Sequence, residues 1–294
     1  MDKIRLNSSC ISCMTDKQLL NYGKDASEQE RLSYMQKMMK ILAEAKPAES
    51  APVITGRIFD LQKEMFKETV DYAKIKHTYN KMMLELEPEI EGKIQESEDS
   101  LKRAVQYAMT GNYIDFGALS NVDNEKLMQL LDQADQNVID EKEYSALKED
   151  LKQGSHLVYL TDNCGEVVLD KMLVKLLKEM YPNLDITVIV RGEQILNDAT
   201  MEDAVQIGMT DMVNVIGNGN NIAGTWLDAV SEQALKLIDQ ADVIIAKGQG
   251  NFETLYGCGK NIYYMFLCKC QLFTQRFGVK QLEGILINDK KCRG

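Results

Sequence analysis

Three short segments hold the residues best equipped for chemistry: Asp162-Asn163-Cys164-Gly165-Glu166, then Arg191-Gly192 with Asn197-Asp198-Ala199-Thr200, then Lys247-Gly248-Gln249-Gly250-Asn251-Phe252-Glu253. Between them they supply two aspartates, two glutamates, three asparagines, one lysine and one arginine. Carboxylates gathered in one place repel one another unless a cation or a proton neutralises them. A donor set made only of oxygens favours a hard divalent ion such as Mg²⁺ or Mn²⁺. Lys247 follows the apolar run Val243-Ile-Ile-Ala246, where an ammonium has little use unless an anion lies near. Taken singly, Asp, Asn and Gly after a strand are ordinary turn and cap residues. Three such segments reaching one sheet edge shift the balance toward a site.

These segments need strands to carry them to a common edge. After the charged stretch 141–152, short runs rich in β-branched residues alternate with helical ones. His156 to Thr161, Asp185 to Val190, Met212 to Ile216 and Asp242 to Ala246 read as strands, with helices at Val167 to Met180 and Trp226 to Ile238. This alternation predicts an α/β, Rossmann-like, mostly parallel sheet, whose ligands bind outside the carboxyl ends of the strands. Each chemical segment falls at such an end.

The first half has a different period. Ser27 and Glu30 stand in capping-box spacing, and Leu32, Met35, Met38, Met39 and Leu42 follow on one face. Pro47 and Pro52 break the pattern, a second amphipathic stretch runs from Gly56 to Val70, and a third runs from Pro88 to Val105. The division expected is a helical domain over residues 1–150 and a Rossmann-like domain carrying the site over 151–294.

Composition narrows the class. The chain has 294 residues and a net charge of −11, without a long basic run, which argues against a nucleic-acid partner. No apolar stretch suits a signal peptide or a membrane span, so a cytoplasmic protein is expected and its cysteines are read as thiols or metal ligands. Neither glycine-rich piece has dinucleotide or P-loop spacing. The two histidines, His77 in the helical half and His156 at the far end of a strand, are read as structural or surface residues.

In order, Asp162-Asn-x-Gly-Glu166, Arg191-Gly192, Asn197-Asp-Ala-Thr200 and Lys247-Gly-Gln-Gly-Asn-Phe-Glu253, with Gly111-Asn-Tyr-Ile-Asp115 upstream, resemble the damage-control phosphatase family of metal-dependent metabolite and carbohydrate phosphatases. Cys10-x-x-Cys13 and Cys270 resemble its microbial, cysteine-bearing subfamily. The resemblance implies a helical domain joined to a Rossmann-like one and hydrolysis of small phosphorylated metabolites such as sugar phosphates. It also implies a divalent cofactor, Mg²⁺, Mn²⁺, Co²⁺ or Ni²⁺, held by Asp162, Asn163 and Asp198. Lys247 would hold the phosphate, with Glu166, Arg191, Asn251 and Glu253 near the substrate and a loop placing Asn112 or Asp115 over the cleft. Separately, Cys10, Cys13, Cys268 and Cys270 could supply thiolates to a structural metal, or be buried thiols.

Two other classes compete. A Rossmann-like sheet with acidic strand ends suits an S-adenosylmethionine-dependent carboxyl methyltransferase, although a cationic cofactor has no need of Lys247 or of the Asp162, Asn163 and Asp198 set. A non-catalytic binding protein built on the helical half would bind no metal.

Overall fold

The computed structural model describes residues 4–19, 25–66, 71–117 and 122–290. Its helical half comprises α1 (Ser8–Gln18), α2 (Glu28–Ala43), α3 (Ala51–Met65), α4 (Tyr72–Gln95), α5 (Ser100–Gly111), α6 (Asn124–Asp132) and α7 (Glu141–Gln153). The remainder runs β1 (His156–Leu160), α8 (Glu166–Met180), β2 (Asp185–Val190), α9 (Met201–Gln206), β3 (Asn214–Gly217), α10 (Glu232–Gln240), β4 (Val243–Lys247), α11 (Gly248–Leu255), β5 (Ile262–Leu267), α12 (Gln271–Phe277) and β6 (Gly284–Asn288).

The six strands form one sheet in the order β3-β2-β1-β4-β5-β6, parallel except for the antiparallel edge strand β6. Sequence order reverses between β1 and β4, where Leu157 to Leu160 pairs with Val243 to Ala246. That reversal opens a crevice at the carboxyl ends of β1 and β4. Helices cover both faces, so the strands read as continuous apolar runs. In β1, Leu157 and Tyr159 enter the large core shared with α4, α5 and α8, while Val158 and Leu160 enter a second core with Ile238, Phe252 and Phe273.

The expected boundary at residue 150 lies near the end of α7, but packing does not pause there. The large core runs from Met83 and Leu101 through Leu157 and Leu173 to Leu286. A separate small core joins α1, α2 and α3 through Met14, Tyr34, Met38 and Ile54.

Several helical limits differ from those expected. The Ser27 capping box forms, with Ser27 N donating to Glu30 Oε2 at 2.8 Å. Pro52 does not break the chain; it sits in the first turn of α3, where its missing N–H has no intrahelical partner to lose. Val70 lies outside the described residues. Pro88 does not start a helix but stands inside α4, which begins at Tyr72. The inward stripe of α4 is Tyr72, Lys76, Asn80 and Met83, and its two polar members hide the apolar period. Residues 226–231 precede α10 rather than belonging to it. No helix among the described residues is long and apolar enough to cross a membrane.

Candidate active site

The site forms because the chain turns back on itself after β1 and β2. Thr161 N still pairs with Ile189 O, after which Ala199 N donates to Asp162 O at 2.7 Å and Arg191 N donates to Ala199 O at 2.9 Å. Residues 197–200 thus lie as an extra extended piece against both strand ends, with bridges Asn163 to Asp198 and Arg191 to Thr200. Gly165 completes the turn into α8 at φ 68°, a backbone region costly for residues with a Cβ. On the other side of the crevice Gly248 has φ 79°, and a Cβ there would stand 1.9 Å from Asp162 Oδ2. Only glycine lets the start of α11 approach Asp162 this closely.

Asp162, Asn163 and Asp198, expected as one ligand set, are brought together. Arg191 spans the two aspartates, with Nε 2.7 Å from Asp198 Oδ2 and Nη2 3.2 Å from Asp162 Oδ1. Asn163 Nδ2 donates to Asp162 Oδ2 at 2.8 Å and to Glu166 Oε2 at 2.9 Å. Both amide hydrogens are thereby committed to the two carboxylates, which fixes the orientation of the amide. Burial raises the Asp162 carboxyl well above its usual range, reinforced by Glu166 and Asp198 and only partly offset by Arg191. Burial also pushes Asp198 up to about 6 against the pull of Arg191.

Lys247 lies differently from expectation. Its ammonium is fully buried and donates to Glu166 Oε1 at 2.7 Å, Asp170 Oδ1 at 2.6 Å and Ala108 O at 2.8 Å. Those three acceptors use its three donors, so it clamps the floor of the site rather than presenting a free cation. Desolvation works against its charge, but Asp170 and Glu166 more than compensate and raise its pKa.

Asn112 and Asn251 are likewise absorbed into the framework. Asn112 Nδ2 reaches Asp162 Oδ2 and both Glu166 oxygens at 3.0–3.1 Å, while its Oδ1 accepts from Leu267 N. Asn251 Nδ2 donates to Thr161 O and Lys247 O, tying β1 to β4, and its Oδ1 accepts from Arg191 Nη1 and Thr225 Oγ1. Glu253, two residues further along α11, lies on a different face of the helix. Its charge acts on the thiols of Cys10 and Cys270 instead of on the aspartates, and burial pushes its own carboxyl up to about 8.

Asp115 accepts from Lys269 Nζ at 2.6 Å and from Gly117 N at 2.7 Å. Lys269 was not anticipated. It follows β5, its side chain is 1% exposed, and it brings a cation to the same sheet edge as Asp162. The signal was a lysine just past the apolar run Ile262 to Leu267, masked by the cysteines on either side. Those cysteines do not make a thiolate cage with Cys10 and Cys13. Cys268 is buried in the second core, Cys13 is exposed, and among the described residues no three His, Cys, Asp or Glu side chains converge to hold a metal. The Asp162, Asn163 and Asp198 set contains only two such residues, its third member being an amide.

A cleft of about 540 Å³ lies alongside, lined by Lys76, His77, Gly192, Gln194, Thr200 and Gln206, among others. It borders the two ends of the 192–200 segment rather than Asp162.

Comparison with known proteins finds relatives that match over nearly the whole chain. A damage-control phosphatase of Archaeoglobus fulgidus is 29% identical, covering 94% of this chain and 96% of the relative. Damage-control phosphatase PH1575 of Pyrococcus horikoshii is 29% identical over 98% of this chain and 99% of its own, and an uncharacterized protein, MJ0202, of Methanocaldococcus jannaschii is 28% identical over 97% and 96%. The crystal structure of a DUF89 family protein from Pyrococcus horikoshii superimposes with a TM-score of 0.80 at 26% identity, covering 97% of this chain and 99% of that one. The damage-control phosphatase ARMT1-like domain matches residues 6–285, nearly the whole chain, and the protein belongs to that family.

Proposed function

We propose that the protein is a divalent-metal-dependent phosphatase of small phosphorylated metabolites, sugar phosphates among them. Family membership supports the phosphatase role. The observation that carries the metal dependence is a charge imbalance. Among the described residues, Asp162, Glu166, Asp170 and Asp198 are four buried carboxylates whose direct ion pairs are with two buried cations, Arg191 and Lys247. An excess of two negative charges away from water is costly unless neutralised, and one divalent cation would balance it.

In this reading Asp162, Asn163 and Asp198 hold Mg²⁺, Mn²⁺, Co²⁺ or Ni²⁺. The bound ion would polarise the phosphoryl group and offset charge as the ester bond breaks. The protein's own groups do the rest. Arg191 keeps the two aspartates aligned, and Asn251 and Glu166 fix Arg191 and Asn163 in turn. The first-turn N–H groups of α11, which a helix cannot satisfy internally, meet the phosphate oxygens beside Asp162, assisted by the charge of Lys269. Asp115, at the rim, accepts hydrogen bonds from substrate hydroxyls. Lys247 contributes through Glu166 rather than by direct contact.

The test is a panel of sugar phosphates, nucleotides and pyrophosphate assayed with each of the four metals and with a chelator. Hydrolysis that is lost on chelation and restored by metal is expected. A protein inert toward every ester that binds S-adenosylmethionine would overturn the proposal in favour of the methyltransferase.

A further inference from the structure

Behind Asp162, Asn163 and Asp198 lies a line of buried side chains. Tyr159, in the middle of β1, donates its hydroxyl to Asp170 Oδ1 at 2.7 Å, and the same oxygen accepts from Lys247 Nζ at 2.6 Å. Lys247 then donates to Glu166 Oε1 at 2.7 Å, and Glu166 Oε2 accepts from Asn163 Nδ2 at 2.9 Å. Tyr159, Asp170, Lys247 and Glu166 are all 0% exposed. Glu166 and Asp170 stand four residues apart on α8, one turn above the other, so both carboxylates face the one ammonium.

A structural ion pair needs only one carboxylate. Glu166 would satisfy Lys247 alone, yet the fold buries a second anion, and Asp170 Oδ2 has no hydrogen-bond partner. Such a group burdens stability, which points to a use elsewhere. Its geometric effect is on Lys247. With the ammonium held between Asp170 and Ala108 O, its third donor points at Glu166, and Glu166 Oε2 accepts from both the side-chain amide and the backbone N of Asn163, which fixes the orientation of that amide. Outer hydrogen-bond partners of this kind orient metal ligands and typically change metal affinity about 10- to 100-fold when removed.

We infer that Asp170 and Tyr159 are positioning residues for the cation site, acting through Lys247 and Glu166 to fix the orientation of Asn163. This rests on the metal-dependent reading above. Chelator-stripped protein titrated calorimetrically with Mn²⁺ tests it without reference to activity. Asp170→Leu should weaken Mn²⁺ binding at least about tenfold, Tyr159→Phe by a few-fold, and Asp170→Asn, which keeps an acceptor oxygen, by an intermediate amount. In a Lys247→Met background the Asp170→Asn change should cause no further loss. A purely structural pair would lower the melting temperature and leave the affinity of folded protein unchanged. If Asp170→Leu does not fold, Tyr159→Phe and Asp170→Asn decide the matter, and wild-type Mn²⁺ affinity in both would overturn the inference. Wild-type protein that binds no Mn²⁺ would remove the proposed function itself, and this inference with it.

Discussion

Two buried polar clusters sit on either side of the segment 197–200, and they differ in their charge balance. On the α4 side, Lys76 Nζ pairs with Asp203 Oδ2 at 2.6 Å and with Thr200 Oγ1 at 3.0 Å. Asn80 donates to Asp203 and Gln206 and accepts from Gly165 N. That cluster has one cation and one anion, and it braces the backbone at Gly165 and Thr200. On the other side, around Asp162, the anions outnumber the cations by two. Both clusters are buried and well bonded, so hydrogen bonding alone does not separate scaffold from site. Charge balance does: the balanced cluster needs nothing further, and the unbalanced one needs protons or, in the metal-dependent reading, a cation to neutralise it.

The comparison breaks most sharply on the aspartates. Asp162→Ala or Asp198→Ala should cut kcat/KM by about a hundred- to a thousandfold, or more if the metal is lost. The same substitutions should leave metal-free stability unchanged or raised, since they relieve repulsion among buried carboxylates. Steady-state kinetics beside thermal unfolding measures both. Lys76→Met should do the converse: removing one partner of a buried pair costs about 3 kcal/mol of stability, seen in denaturant titration, while activity per folded molecule changes little.

A smaller effect is expected at the rim. Lys269→Ala should raise KM for a phosphate ester several-fold with a lesser fall in kcat, because a phosphate contact is already made in the ground state. Equal losses in kcat and kcat/KM would instead place Lys269 in the transition state alone.

The smallest effect concerns Glu253, whose carboxyl lies outside both clusters. Burial raises its folded pKa from 4.5 to about 8, so the folded state holds a proton that the unfolded chain releases. The resulting stability is fully present below pH 4.5 and lost as pH rises through about 8. Glu253→Gln should flatten that decline and raise the melting temperature at pH 8.5 relative to wild type. A wild-type melting temperature that rises over this range for the same group would contradict the assignment.

The sequence was most legible where local chemistry and tertiary position agree. The β-branched runs at 156–161, 185–190 and 242–246 and the glycines after them mark strand ends, and the structure places Asp162, Asn163 and Asp198 together there. It was least legible where a polar residue faces inward. Lys76 and Asn80 interrupt the apolar stripe of α4 and so concealed both the helix and the balanced cluster. Asp170 is hidden within Val167-Val-Leu-Asp-Lys-Met-Leu173, which reads simply as helix. Motif membership also could not tell orientation: Asn251 and Glu253 share a motif, but a helix sends them to different neighbours. Lys247 was found by its odd position after an apolar run, yet its three internal acceptors become visible only when Ala108 and Asp170 are folded against it.

The central claim is that the charge missing from the Asp162 cluster is supplied by one divalent cation. The most direct measurement is calorimetric titration of chelator-stripped protein with Mn²⁺, paired with thermal unfolding at each metal concentration. The account predicts one equivalent bound and, at about a hundred times Kd, about 2.7 kcal/mol of added stability. Both effects should be absent from an Asp162→Ala, Asp198→Ala double variant that still folds. A wild-type protein that binds no Mn²⁺, Mg²⁺, Co²⁺ or Ni²⁺ and whose unfolding is indifferent to all four would contradict it.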